Sequence, residues 1–363
     1  MSDGTRFGRP SLDHLPPGDP ATPFADGVAL LGLNEGLDGP FPSALAAIEA
    51  LLPELQRYPN RGSHELVAVL AARHGVAPSQ VLVAAGADAV IGYVCQAVLE
   101  PGDEVVVPWP SFPSFVRDSQ KRDAIPVTVP LLNDQIDLAA MRAAITSRTR
   151  LLFVANPNNP TGLAVARGQL IEFVRGLPEH VLPVIDEAYF DYLDPADRLD
   201  SIDDLVCDGQ EVLVLRTFSK LYGLAGLRVG YGVGPAGVVA AMRKVQRGYD
   251  VNAPAQVAAL ASLDDPAEVE RRRGANAAAI RALTELLRAR GLEPLAGSVT
   301  NFVLVEVSVD ADELAATLLS HGVSVQSGAP FGAPTAVRIG AGSPADLERL
   351  DAVLAAVLST AAR

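Results

Sequence analysis

Short apolar runs recur along the first two thirds of the chain, at 81–84, 104–107, 125–129, 150–155, 181–185 and 211–215. Each is too short for a helix and is bounded by turn residues, which predicts buried strands. Between most of them lie amphipathic or turn-rich segments, including helical spacing over 138–147 and 168–176. Alternation of this kind builds a mainly parallel sheet with crossover helices, an α/β fold. Beyond Pro266 the pattern changes. Residues 267–290 read as one long helix with an Arg-rich start, 301–307 as a strand, 311–320 as a helix and 336–340 as a strand, and 344–362 repeat apolar residues at helical spacing. A smaller α+β domain is expected there. The predicted division is an N-terminal arm over 1–41 associated with the small domain, a large domain over 42–260 opening on a helix at 42–51, and the small domain over 261–363.

With 363 residues, 49% of them apolar, the chain is long enough for two packed domains. A formal charge of −14 repels nucleic acid and anionic membrane surfaces, so a small-molecule partner is expected. Cys95 and Cys207 stand far apart without a partner motif, so no disulfide framework or thiolate metal site is encoded, and the five histidines lack ligand spacing. No signal-peptide pattern opens the chain, and a cytoplasmic location is the expectation. The apolar stretch 81–99 approaches bilayer length, but Gly86 breaks it and Asp88 stands where a helix begins, so it reads as strand, turn and buried helix.

Three segments place unusual polar residues directly after apolar strands, where ligands sit in open α/β sheets. They are Asn-Pro-Asn-Asn-Pro-Thr-Gly at 156–162, Asp-Glu-Ala-Tyr at 186–189, and Arg-Thr-Phe-Ser-Lys at 216–220 with Gly-Leu-Ala-Gly-Leu-Arg at 223–228. Lys121, Lys220 and Lys244 are the only lysines, and of these Lys220 alone closes an apolar strand. A desolvated lysine there is poised to condense with an aldehyde. Pyridoxal phosphate asks for an amine, an anion beside its pyridine nitrogen, donors to its phenolic oxygen, a phosphate cradle and an apolar cover. Lys220, Asp186, and Asn159 with Tyr189 answer the first three. Gly86-Ala87-Asp88 opens a helix whose amides converge on an anion, Thr217, Ser219 and Arg228 add hydroxyls and a guanidinium, and Phe112 can cover the ring.

In this order the motifs GAD, PSF, NPNNPTG, IDEAY, TFSK and GLAGLRVGY resemble the fold-type I pyridoxal-phosphate aminotransferases of class I/II, most closely the histidinol-phosphate aminotransferase group. The resemblance spans about 33–340. It implies that Lys220 is the Schiff-base lysine and moves a proton, that Asp186 pairs the pyridinium, and that Asn159 and Tyr189 contact the phenolic oxygen. It implies a homodimer in which Tyr58 reaches the neighbouring subunit's phosphate site. Arg338 then clamps a substrate carboxylate, and Asn34 lies on an arm that folds over the substrate. The reaction implied is amino transfer between an amino acid or amine and a 2-oxo acid.

Departures from the family pattern gather on substrate choice. Gln326 stands where members acting on histidinol phosphate carry an arginine, Leu15 where they carry a tyrosine, and Gly36 where asparagine is common. Losing that arginine weakens recognition of a phosphate ester, since a buried dianion needs a cation. An altered substrate is therefore expected. Decarboxylation or β-elimination on the same scaffold is the alternative, because the cofactor residues would be shared. A dinucleotide oxidoreductase is suggested by the α/β alternation and by Gly-Tyr-Gly-Val-Gly at 230–234, but that segment lacks the GxGxxG spacing, an obvious long helix after it and the later acid.

Overall fold

The computed structural model describes Leu12, Leu15, Ala25 and residues 27–196 and 198–361, with side chains to residue 357. Strand β1 (Ala29–Leu30) is followed by α1 (Pro42–Leu51), α2 (His64–His74), β2 (Val81–Ala84), α3 (Ala87–Val98), β3 (Glu104–Trp109), α4 (Ser114–Gln120) and β4 (Ile125–Pro130). Next come α5 (Leu138–Ala143), β5 (Thr149–Ala155), α6 (Arg167–Arg175), β6 (Leu182–Asp186), β7 (Leu213–Thr217), β8 (Gly230–Val233), α7 (Ala236–Val245) and α8 (Ala253–Leu263). The chain ends with α9 (Pro266–Ala289), β9 (Phe302–Glu306), α10 (Ala311–Ser320), β10 (Val323–Ser324), β11 (Gln326–Ser327), β12 (Ala336–Gly340) and α11 (Pro344–Ala361).

Seven strands form the central sheet in the order β2-β8-β7-β6-β5-β3-β4. Its inner strands are largely apolar because both faces are covered, whereas the edge strand β4 leaves Ile125 exposed. Along β5, Leu152 and Val154 enter one core while Leu151 and Phe153 enter the other, the period of two expected of a strand. The sheet is parallel from β7 through β4, as the alternation predicts, but β8 runs antiparallel to both β2 and β7. That strand is the 230–234 segment weighed as a dinucleotide loop. A ten-residue helix, α7, follows it, but an antiparallel strand cannot open the βαβ unit such a loop requires.

A third core forms from β9, β12, α9, α10 and α11, and Ala29 and Leu31 belong to it. Strand β1 pairs in parallel with β10, and β11-β12-β9 form an antiparallel sheet. The arm thus enters the C-terminal core before the chain reaches α1. Trp109, at the end of β3, packs against the turn 329–332, whose Phe331 carbonyl accepts from the Ser111 amide at 3.2 Å. Among the described residues no helix is long and apolar enough to cross a membrane, and the 81–99 stretch divides into β2 and α3.

Candidate active site

Strands β5, β6 and β7 end side by side at Ala155, Asp186 and Thr217, and all three line a cavity of about 460 Å³. Their parallel register brings these C-terminal ends together although the sequence separates them widely. From above, the segment 33–35 and residues Gln326, Phe331 and Arg338 complete the walls. Of the residues singled out in the sequence, Ala87, Asp88, Phe112, Asn159, Asp186, Tyr189, Thr217, Ser219, Lys220, Arg228, Arg338, Asn34 and Gln326 all line this one cavity.

Two do not. Tyr58 lies outside it, 82% exposed and stacked on Tyr249 with ring centroids 4.8 Å apart. Leu15 is not among the lining residues; its amide donates to the Leu12 carbonyl at 3.0 Å. Gly36 lies behind the cavity wall. It presses on the main chain of the lysine, where a Cβ would come 2.7 Å from the Lys220 carbonyl oxygen.

The cradle is built at the start of α3. Ala87 and Asp88 are its first residues, and first-turn amides have no partner within their own helix. Gly86 caps the helix at φ +91, where a side chain is strained, and a Cβ there would stand 2.7 Å from Arg228 Nη2. Thr217 Oγ1 donates to Ser219 Oγ at 3.0 Å, and Arg228 Nη1 reaches that Oγ at 3.5 Å and the Ala225 carbonyl at 3.0 Å. Two hydroxyls and a guanidinium thus stand assembled beside free amides, a site for a phosphate dianion.

Asp186, 6% exposed, accepts from the Ala188 amide at 3.0 Å. Burial pushes its carboxyl up to about 7, and nearby Asp88 and Glu187 add to the rise. A cation placed against it restores the carboxylate. Lys220 donates from Nζ to the Leu33 and Asn34 carbonyls at 3.2 and 3.1 Å. Burial, reinforced by the Arg338 guanidinium, lowers its ammonium to about 8, so a usable fraction is a neutral nucleophile near pH 7. Tyr189 accepts from Asn34 Nδ2 at 3.0 Å, and burial raises its phenol. Phe112 stands at the cavity wall, edge-on to Phe115.

Arg338 is 4% exposed, and burial lowers its guanidinium to about 10. It donates from Nη1 to Asn159 Oδ1 and from Nη2 to the Gly32 carbonyl, both at 2.6 Å, while its Nε has no partner among the described residues. A buried cation with an unmet donor and, among the described residues, no ion-pair partner suits an incoming anion. Gln326 faces Arg338 across the β11–β12 pair.

Sequence reasoning passed over a second layer. Glu187 follows Asp186 and Arg216 precedes Thr217, and both are buried. Arg216 Nη2 lies 2.8 Å from Glu187 Oε2 and 2.7 Å from Asp200 Oδ1, and its guanidinium stands 3.5 Å from the centre of the Phe190 ring. The pair bridges β6 and β7 just past their main-chain ladder. An acid and a base flanking the two candidate positions on adjacent strands was the available signal. Asn301 carries no such signal.

The residues therefore offer what a pyridine phosphate aldehyde requires: an amine, an anion, a dianion cradle and an aromatic cover in one cavity. The chain matches the family model for aminotransferase class I and II over residues 26–354. It is 40% identical over 357 residues to an aromatic amino acid aminotransferase of Rhodococcus jostii, covering 98% of this chain and 96% of that one. It is 38% identical to a histidinol-phosphate aminotransferase of Moorella thermoacetica, covering 87% and 82%. The crystal structure of histidinol-phosphate aminotransferase from Sinorhizobium meliloti in complex with pyridoxal-5'-phosphate superposes with a TM-score of 0.83 at 31% identity, covering 91% of each chain. These matches decide for amino transfer over decarboxylation or elimination: the chain belongs to the class I and II aminotransferases, fold-type I enzymes that use pyridoxal phosphate.

Proposed function

We propose that this transaminase moves the amino group of an amino acid with an uncharged, apolar or aromatic side chain to a 2-oxo acid. One observation carries the reading. Among the described residues lining the cavity, the only arginines are Arg228, joined to the Ser219 hydroxyl, and Arg338, held by Asn159 and Gly32. One serves the cofactor's phosphate and the other the substrate's carboxylate, which leaves no guanidinium for a second phosphate. Gln326 and Phe331 flank Arg338 instead, with the Phe331 ring centre 4.7 Å from the guanidinium. The extensive match to an aromatic amino acid aminotransferase supports the same conclusion.

Bound pyridoxal phosphate supplies an aldehyde that condenses with amines and a ring that accepts the electron pair released at the substrate Cα. The protein's residues do the rest. Lys220 Nζ would hold the cofactor and, when free, would carry the proton taken from the substrate Cα to the cofactor's C4′ carbon. Asp186 keeps the pyridine nitrogen protonated. Asn159 and Tyr189 hold the phenolic oxygen, and Phe112 covers the ring. Gly86 shapes the helix start at which Ala87, Asp88, Thr217, Ser219 and Arg228 bind the phosphate. Arg338 fixes the carboxylate, Asn34 closes over the substrate, and Gln326 meets its side chain.

The exposed Tyr58–Tyr249 stack, with Arg61 6.0 Å from the Tyr249 ring, supports a homodimer in which Tyr58 enters the neighbouring site. Separate cores support a large and a small domain, although 260/261 falls inside α8 and both Phe41 and Leu263 pack into the large-domain core, and two free cysteines accord with a cytoplasmic location.

A panel of amino donors tests the substrate reading. Phenylalanine or tyrosine is expected to exceed histidinol phosphate in kcat/KM by about 100-fold, the order of leaving a buried charge unpaired. Gln326→Arg narrows that ratio by raising the rate with the phosphate ester. A wild-type preference for histidinol phosphate overturns the assignment.

A further inference from the structure

Asn301 has no place in the roles given above, yet it sits where several of them meet. It directly precedes β9, is 1% exposed, and donates from Nδ2 to the Asn34 and Glu35 carbonyls at 3.0 and 2.9 Å. Its Oδ1 is buried without a partner among the described residues. A buried amide with half its hydrogen-bonding capacity unmet detracts from stability, so stability alone does not account for it.

The segment it holds, residues 32–36, is gripped from several sides. Arg338 takes the Gly32 carbonyl, Lys220 takes those of Leu33 and Asn34, and Asn34 Nδ2 binds the Tyr189 hydroxyl. The backbone of Asn34 is left-handed, at φ 54, a conformation that asparagine adopts more readily than most residues. The Asn34 carbonyl oxygen is shared: it accepts from Lys220 Nζ and from Asn301 Nδ2. Carbonyls only accept. A neutral lysine amine that gives both its hydrogens to two of them therefore keeps its lone pair unshared, the condition a proton acceptor needs.

We propose that Asn301 is a positioning residue for amino transfer: by fixing the Asn34 and Glu35 carbonyls it sets where the Lys220 amine rests, and how its lone pair points, whenever that amine is free. The proposal rests on reading Lys220 as the amine that condenses with the cofactor. It assigns Asn301 no contact with cofactor or substrate. The route is the segment 32–36, so disturbing Asn301 must show there first.

Hydrogen exchange of the cofactor-free protein reads that segment without turnover. Asn301→Ala is expected to speed exchange of the amides in 33–36 by about tenfold. In the loaded enzyme it is expected to lower kcat by roughly 10- to 100-fold, with KM for the amino donor moving less than about threefold. Asn301→Ser, a smaller change, gives the same signs should the alanine variant fail to fold. Lys220→Met in the cofactor-free protein supplies the reciprocal arm, because removing the amine should also speed exchange in 33–36. Unchanged exchange there in both the serine and methionine variants overturns the proposal. Faster exchange with an unchanged kcat in an Asn301 variant overturns it too, marking the residue as structural only, and so does a kcat loss without faster exchange. Failure of the underlying lysine reading looks different: Lys220→Met would then retain cofactor that borohydride fixes to the chain.

Discussion

Lys220→Ala is expected to reduce amino transfer on the order of 10⁴-fold or more, because one group serves as both the covalent anchor and the proton carrier. No other lysine stands in reserve. Lys121 is engaged with Asp118 at 2.6 Å, and Lys244 belongs to the last turn of α7; neither lines the cavity. Borohydride treatment followed by mass analysis checks the chemistry directly. Wild-type protein should gain one cofactor mass and the alanine variant none. The cradle from Gly86 to Arg228 remains in that variant, so cofactor should still associate, reversibly. A variant that keeps its rate and its borohydride-stable adduct would refute the assignment of Lys220.

Asp186→Asn is the second large effect, on the order of 10³-fold in kcat at saturating cofactor, since the amide cannot hold a proton on the ring nitrogen. A rate within tenfold of wild type would contradict the role. The same variant carries a stability signature in cofactor-free protein. The folded carboxyl titrates at about 7 and the unfolded one at its ordinary value of 3.8, so folding takes up a proton between those limits. An acid held above its unfolded value destabilises the fold as the pH rises through that window. Asparagine does not titrate. The variant should therefore gain on wild type between pH 4 and 7, levelling off above, by on the order of 4 kcal/mol at most. Melting curves of both proteins across that range read the difference.

Much of the cavity is legible in the amino-acid order because its chemistry sits at strand ends. Short apolar runs announce β5, β6 and β7, and the polar residues after each must then lie at one edge of one sheet. Lys220 is legible through scarcity, and Asp186 through its place behind a buried strand. Arg338 is found only through family resemblance, because its partners Asn159 and Gly32 are distant in the chain. Strand β8 escapes because four residues including two glycines read as a turn, and its antiparallel direction is decided by its neighbours β2 and β7 rather than by its own composition. Asn301 and the Glu187–Arg216 pair escape for a related reason. Their meaning lies in what the fold sets opposite them.

The contact between Trp109 and the 329–332 turn has a practical consequence. The chain contains one tryptophan, and the Gly332 backbone lies so close that a Cβ would fall 2.0 Å from the indole nitrogen. Phe331, in the same turn, lines the cavity. Any tightening or loosening of that turn as a donor enters must alter the dielectric surroundings of a lone indole. The protein therefore carries its own optical reporter, whose emission can be followed in a stopped-flow instrument without a label.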